Sequence, residues 1–164
     1  MTHRLMEGNI PVTLLVLHGP GGDENDFPPV ARPLMPGAWI LSPRIEGNPE
    51  EFAEWLSTFP LQGNRLYALG YSTGSDLAAT LLLTRPNLLA GAVLLRPTSI
   101  ASPDPLPELA GVPVLAVPGR HGSHAVAQLL ARAGAAVDLA VQDADEDLTP
   151  QDFALAKRWF AQFL

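Results

Sequence analysis

A chain of 164 residues, 47% hydrophobic and 16% charged, is long enough for one well-packed domain over 1–164 and is neither disordered nor divided in two. Its net charge of −7 leaves no basic face for nucleic acid or an anionic membrane, so neither is an expected partner, and the absence of cysteine excludes disulfides and thiolate metal sites. The first ten residues carry charges and no apolar core, unlike a signal peptide, and no apolar run reaches the length of a membrane span, so a cytoplasmic protein is expected.

The first strand expected is Val12–Leu17, an uninterrupted apolar run of the kind buried on both faces of a parallel sheet. It leads into Leu17-His18-Gly19-Pro20-Gly21-Gly22-Asp23. No Gly-Lys-Ser/Thr follows to hold a nucleotide's phosphates, and the chain is acidic, so no nucleotide site is expected; taken with the serine-bearing turn at 70–74, the stretch reads as an oxyanion turn. A second strand is expected at 38–41. Asn48-Pro49-Glu50-Glu51 then supplies a capping residue, a proline at the first helical position and an acid three residues after the cap, which predicts a helix to about residue 58.

The third strand, 65–69, runs into Gly70-Tyr71-Ser72-Thr73-Gly74 and then a helix-like run over 75–83. Gly-x-Ser-x-Gly between a strand and a helix is a nucleophile elbow. The turn is so tight that side chains two residues either side of the serine would collide, so glycine occupies both places and the hydroxyl stands above the sheet. Ser72 is therefore the leading candidate nucleophile.

Further strands are expected at Gly91–Leu95, 112–117 and 136–141. Ahead of the second of these, Pro103, Pro105 and Pro107 forbid helix and sheet alike, giving a loop within one domain. Thr149-Pro150-Gln151-Asp152 repeats the capping signature and opens a last helix, in which Phe153, Ala156, Trp159, Phe160 and Phe163 recur at helical spacing as a core-facing stripe. Before it lie Asp143, Asp145, Glu146 and Asp147, where negative charge meets the positive end of the helix dipole. These acids lack a calcium-loop pattern, so no metal site is expected. Strands alternating with helices give an α/β fold of about six mostly parallel strands with helices on both faces.

Three stretches together, His18-Gly19-x-Gly21-Gly22-Asp23-Glu24-x-Asp26-Phe27, the elbow at 70–74, and Leu89-Ala90-Gly91-Ala92-Val93-Leu94-Leu95-Arg96-Pro97, resemble the bacterial phospholipase/carboxylesterase branch of the α/β-hydrolases. The resemblance runs in the expected order from Val12 to Leu164. It implies the α/β-hydrolase fold, a small-molecule ester or apolar ligand, no cofactor, and Ser72 as nucleophile. It also places the oxyanion hole at the N–H of Thr73 and of position 20, beside Gly19 and Tyr71. Position 20 is proline, which has no N–H, so Gly21 would have to shift to replace it. His18 is expected to be structural, with a fallback role as base.

The acid and base depart from the family pattern. A Gly-x-x-Asp expected after the strand at 112–117 is here Gly119-Arg120-His121-Gly122, and the histidine expected before Leu148-Thr149 is replaced at its matching position by Glu146. The segment over 44–48 and that after residue 122 are shortened. The losses are reciprocal: His121 and His124 stand where the family has its acid, and Asp145 and Glu146 where it has its histidine. Because a triad is defined by roles and geometry, two readings stay open. One is a weakened carboxylester hydrolase with His121 or His124 as base and Asp145 or Glu146 as orienting acid. The other is a non-catalytic binding or interaction module on the same fold. Self-association as a homodimer is equally open.

Overall fold

The computed structural model describes residues 1–61 and 65–164. Among them, strands β1 (His3–Met6), β2 (Val12–Leu17), β3 (Trp39–Pro43), β4 (Arg65–Tyr71), β5 (Gly91–Leu95), β6 (Pro113–Val117) and β7 (Ala136–Leu139) alternate with helices. The helices are α1 (Pro28–Ala31), α2 (Pro49–Thr58), α3 (Thr73–Thr84), α4 (Ala125–Arg132) and α5 (Pro150–Phe160). One sheet in the order β1-β3-β2-β4-β5-β6-β7 holds all seven strands, parallel throughout except for β1.

The six expected strands form the parallel part of the sheet, and a seventh, β1, joins its edge. Strand β1 runs antiparallel to β3, pairing Leu5 with Leu41, and most of it is exposed, so it carries no apolar periodicity that a sequence could reveal. It is held by its ladder and by the His3 ring, whose centroid lies 5.7 Å from Trp55 and 5.0 Å from Phe59. Elsewhere each expected strand is present, with shifted ends: β3 runs to Pro43, β4 extends to Tyr71, β6 starts one residue later at Pro113 and β7 stops at Leu139.

Because β2 is buried on both sides, its residues divide alternately between two cores. Leu15 and Leu17 pack with Phe52 and Leu56 of α2, with α3, and with Leu129 and Leu130 of α4. Val12, Leu14 and Val16 face Ala31 of α1 and Ala156, Trp159 and Phe160 of α5. The aromatic stripe of α5 is thus a packing surface, with Phe153 and Phe163 partly buried against the same cluster.

Local sequence explains the helix starts. The Glu51 N–H donates to Asn48 Oδ1 at 2.9 Å and the Asn48 N–H to Glu51 Oε2 at 3.3 Å, a reciprocal capping box. At α5 the Asp152 carboxylate accepts from both the N–H and the hydroxyl of Thr149, at 2.7 and 3.2 Å. The chain leaves β2 for β3 on one side of the sheet and then returns to β4 on the other. That reversal opens a crevice beyond the C-terminal ends of β2 and β4, where open α/β sheets carry their chemistry.

Candidate active site

Ser72 stands at this crevice, directly between β4 and α3, with φ 54° and ψ −117°. A non-glycine residue adopts such angles only when its surroundings impose them, at a cost of about 1–3 kcal/mol. The surroundings are visible. The Ser72 N–H is tied to the Leu95 carbonyl at the end of β5 at 2.8 Å, and its own carbonyl accepts from Asp76 N–H and Ser75 Oγ. A Cβ on Gly70 would lie 2.5 Å from the Gly74 carbonyl oxygen, and one on Gly74 would collide with the carbonyls of Leu17 and His18. Gly74→Ala is therefore expected to destabilise the protein by about 1–3 kcal/mol in urea unfolding, since backbone, not a flexible side chain, blocks the methyl group. A stability equal to that of the parent would refute the tight elbow.

The Ser72 side chain is half-buried, and no hydrogen bond engages its hydroxyl among the described residues. Thr73 opens α3, so its N–H belongs to the first turn, which has no intrahelical acceptors and lies at the positive end of the helix dipole. Across the crevice, the Gly22 N–H closes onto the Gly19 carbonyl at 3.1 Å, leaving Pro20 and Gly21 at the tip of the turn. Pro20 has no N–H to offer. Gly21, at φ 74°, has an N–H that meets no acceptor among the described residues, and open space surrounds its Cα. The turn is braced from below by Glu24, whose carboxylate is gripped by Arg44 at 2.7 and 2.9 Å, a pairing that holds the Glu24 carboxyl below its usual range.

His18 is 7% exposed and both its ring nitrogens are committed. Nδ1 lies 2.8 Å from the Gly19 carbonyl, and Nε2 accepts from the Ile45 N–H at 3.0 Å, which defines an Nδ1–H tautomer with no lone pair left for Ser72. The fallback role of His18 as base is corrected accordingly. It pins the turn at Gly19 to the segment after β3.

Sequence reasoning missed the most connected side chain in the site. Arg96, at φ 54° just beyond β5, is 3% exposed and spends all five guanidinium N–H groups. It forms a bidentate pair with the fully buried Asp152, both contacts at 2.9 Å, and donates to the carbonyls of Asp145 (2.6 Å), Asp147 (3.1 Å) and Val117 (3.2 Å). Between the two clamped carbonyls, that of Glu146 accepts from the Tyr71 hydroxyl at 2.8 Å. Burial, and then the carboxylates of Asp147 and Glu146, raises the Tyr71 phenol above its ordinary range, so it stays a neutral donor. The Tyr71 ring is packed so close to Gly19 that a Cβ there would meet it at 2.6 Å. Three successive carbonyls of the acidic loop are thus fixed while the Asp145 and Glu146 side chains remain exposed.

The two loops that exchanged residue types do meet. The Arg120 N–H donates to the Ala144 carbonyl at 2.7 Å, and a Cβ on Gly119 would lie 2.6 Å from the Asp145 carbonyl oxygen. His121 and Glu146 line one polar cavity of about 230 Å³, together with Thr98 and Ser123. His121 is exposed, and His124 is half-buried immediately before α4. Among the described residues, no hydrogen bond involves either imidazole, Ser72 Oγ, or the carboxylates of Asp145 and Glu146. No three His, Asp or Glu side chains among them converge to hold a metal ion.

A larger cavity of about 380 Å³ flanks the elbow on the α2 side, lined by Thr73, Asp76 and Leu77 of α3, Phe52, Ile45 and Ile100.

No protein-family model matches the chain. It is similar to MhqD of Bacillus subtilis (strain 168), a protein provisionally named a hydrolase, at 27% identity over 99% of this chain and 98% of the relative. That match runs over 197 aligned positions against the 164 residues here, so the relative carries insertions that this chain lacks. Among solved structures, the Bacillus cereus carboxylesterase superposes with a TM-score of 0.90 at 28% identity, over 100% of this chain and 95% of the other. A carboxylesterase from Mesorhizobium loti superposes at 0.82 with 26% identity, over 97% and 93%.

Proposed function

We propose that this chain, which is similar to two carboxylesterases of known structure and to a relative provisionally named a hydrolase, is a serine hydrolase acting slowly on a small carboxylic ester. The observation that carries this reading is the backbone of Ser72: a strained φ of 54° raising an unengaged hydroxyl at the mouth of the crevice. In this mechanism Ser72 Oγ attacks the acyl carbonyl, and the Thr73 N–H meets the developing oxyanion, with Gly21 in place of the missing donor at Pro20. His121 accepts the serine proton and Glu146 orients it. What supports this pair over His124 and Asp145 is that both line the same small cavity between the two loops. An exposed imidazole with no anchoring hydrogen bond is a poor base, which makes the activity slow.

The rival reading, a binding module that keeps the fold without turnover, is favoured by one observation, the lack of any hydrogen bond joining Ser72 to an imidazole among the described residues. Short-chain p-nitrophenyl esters and a fluorophosphonate probe separate the two. The expected result is slow, Ser72-dependent hydrolysis with weak probe labelling, both abolished in Ser72→Ala while its unfolding midpoint stays close to that of the parent. Turnover that persists in Ser72→Ala, or no turnover at all above the buffer rate, would sink the hydrolase reading.

A further inference from the structure

The 380 Å³ cavity beside the elbow has one charged side chain in its lining, Asp76, and no Lys, Arg or His among the described residues. The remainder is largely hydrocarbon, from Ile45, Phe52, Leu77 and Ile100. Asp76 is one helical turn beyond Ser72 and half-buried, and its orientation is fixed from outside the helix: one carboxylate oxygen accepts from the Thr98 N–H at 2.8 Å and the other from the Thr98 hydroxyl. Both donors are neutral groups, so neither is a cationic partner for the carboxylate. Arg85, just beyond α3, is already paired with Glu50 at 2.8 Å, and Arg132 lines an adjoining cavity with Ser99 and Ile100 and not this one. An uncompensated carboxylate in a half-enclosed, low-dielectric pocket attracts a cation and repels an anion far more strongly than it would on an open surface.

We propose that this cavity selects its occupant by charge, taking an ammonium-bearing group in preference to a neutral one and excluding a carboxylate, and that Asp76 is the specificity-determining residue. As a statement about substrate class the inference rests on the serine-hydrolase reading; as a statement about binding it does not.

The test is a binding measurement on Ser72→Ala protein, which removes chemistry from the readout. Benzylammonium, benzyl alcohol and benzoate, close in shape and differing in charge, are titrated by calorimetry, with amide shift changes at Leu77 and Thr80 locating the site. Benzylammonium is expected to bind about tenfold more tightly than benzyl alcohol, and benzoate about tenfold more weakly. Adding Asp76→Asn should merge the three affinities, whereas Asp76→Glu, which keeps the charge, and Asp138→Asn, a charge loss on β7, should leave the ranking in place. If Asp76→Asn fails to fold, the Asp76→Glu and Asp138→Asn variants still carry the comparison with the parent ranking. Equal affinities, a ranking that survives Asp76→Asn, or shift changes absent from Leu77 and Thr80 would overturn the proposal. Absent ester turnover alongside the expected ranking would count against the hydrolase reading alone.

Discussion

Asp152→Ala is expected to lower the unfolding free energy by about 3–5 kcal/mol, the typical penalty for leaving a buried charge without its partner. Arg96 is 3% exposed and Asp152 0%, so neither water nor a rotamer change can rescue the stranded guanidinium. For a domain of this size such a loss lowers the melting temperature by roughly 10 °C. Asp152 also caps α5 through Thr149, which adds to the effect. Arg96→Met should cost as much, because it orphans the Asp152 carboxylate and frees the carbonyls of Asp145 and Asp147 together. The double variant Arg96→Met/Asp152→Leu should recover part of the loss, since two apolar side chains bury no charge. Single variants that lose less than about 1 kcal/mol in urea unfolding would show that the pair is not buried in solution.

Glu146→His is expected to raise ester turnover by about 10²–10⁴, the usual contribution of a positioned general base. Family resemblance places the histidine at this position. The structure supplies the reason a single substitution can act there: the Glu146 carbonyl is held by Tyr71 and its neighbours' carbonyls by Arg96, so the backbone that would carry an imidazole is already fixed. The size of the expected gain reflects how much is missing, for in subtilisin the loss of the triad histidine costs about 2 × 10⁶ in kcat. The gain should stop short of that figure, because no aspartate orients the new imidazole. A fall in turnover instead would mean that losing the Glu146 carboxylate beside His121 outweighs the base gained at position 146, and single-turnover kinetics with Ser72 labelling would identify the step affected.

The elbow was the most legible feature of the chain, because Gly70 and Gly74 answer a purely steric demand from backbone atoms nearby. Both helix caps were equally readable, since Asn48 with Glu51 and Thr149 with Asp152 act within four residues. Strand β1 was not, because an exposed edge strand is specified by its neighbour's ladder more than by its own apolar pattern. Asp152 was recognised as a cap, yet its larger role depends on Arg96, which lies 56 residues away. One signal pointed there: an arginine ending a wholly apolar strand must find a carboxylate, and the acid at the start of α5 was available. His18 misled in the opposite direction, because sequence shows a histidine near the nucleophile but not the Ile45 N–H and Gly19 carbonyl that occupy its two nitrogens. The approach of the loops around His121 and Glu146 is a tertiary fact, set by where β6 and α5 deliver them.

The same ion pair governs when the site can exist during synthesis. Its two halves lie just beyond β5 and at the start of α5, so Asp152 is synthesised 56 residues after Arg96. Until Asp152 leaves the ribosome, β2 and β4 to β6 can pair, but Arg96 has no counter-ion and the acidic loop no clamp. A nascent chain therefore carries its nucleophile before it carries the wall of the crevice.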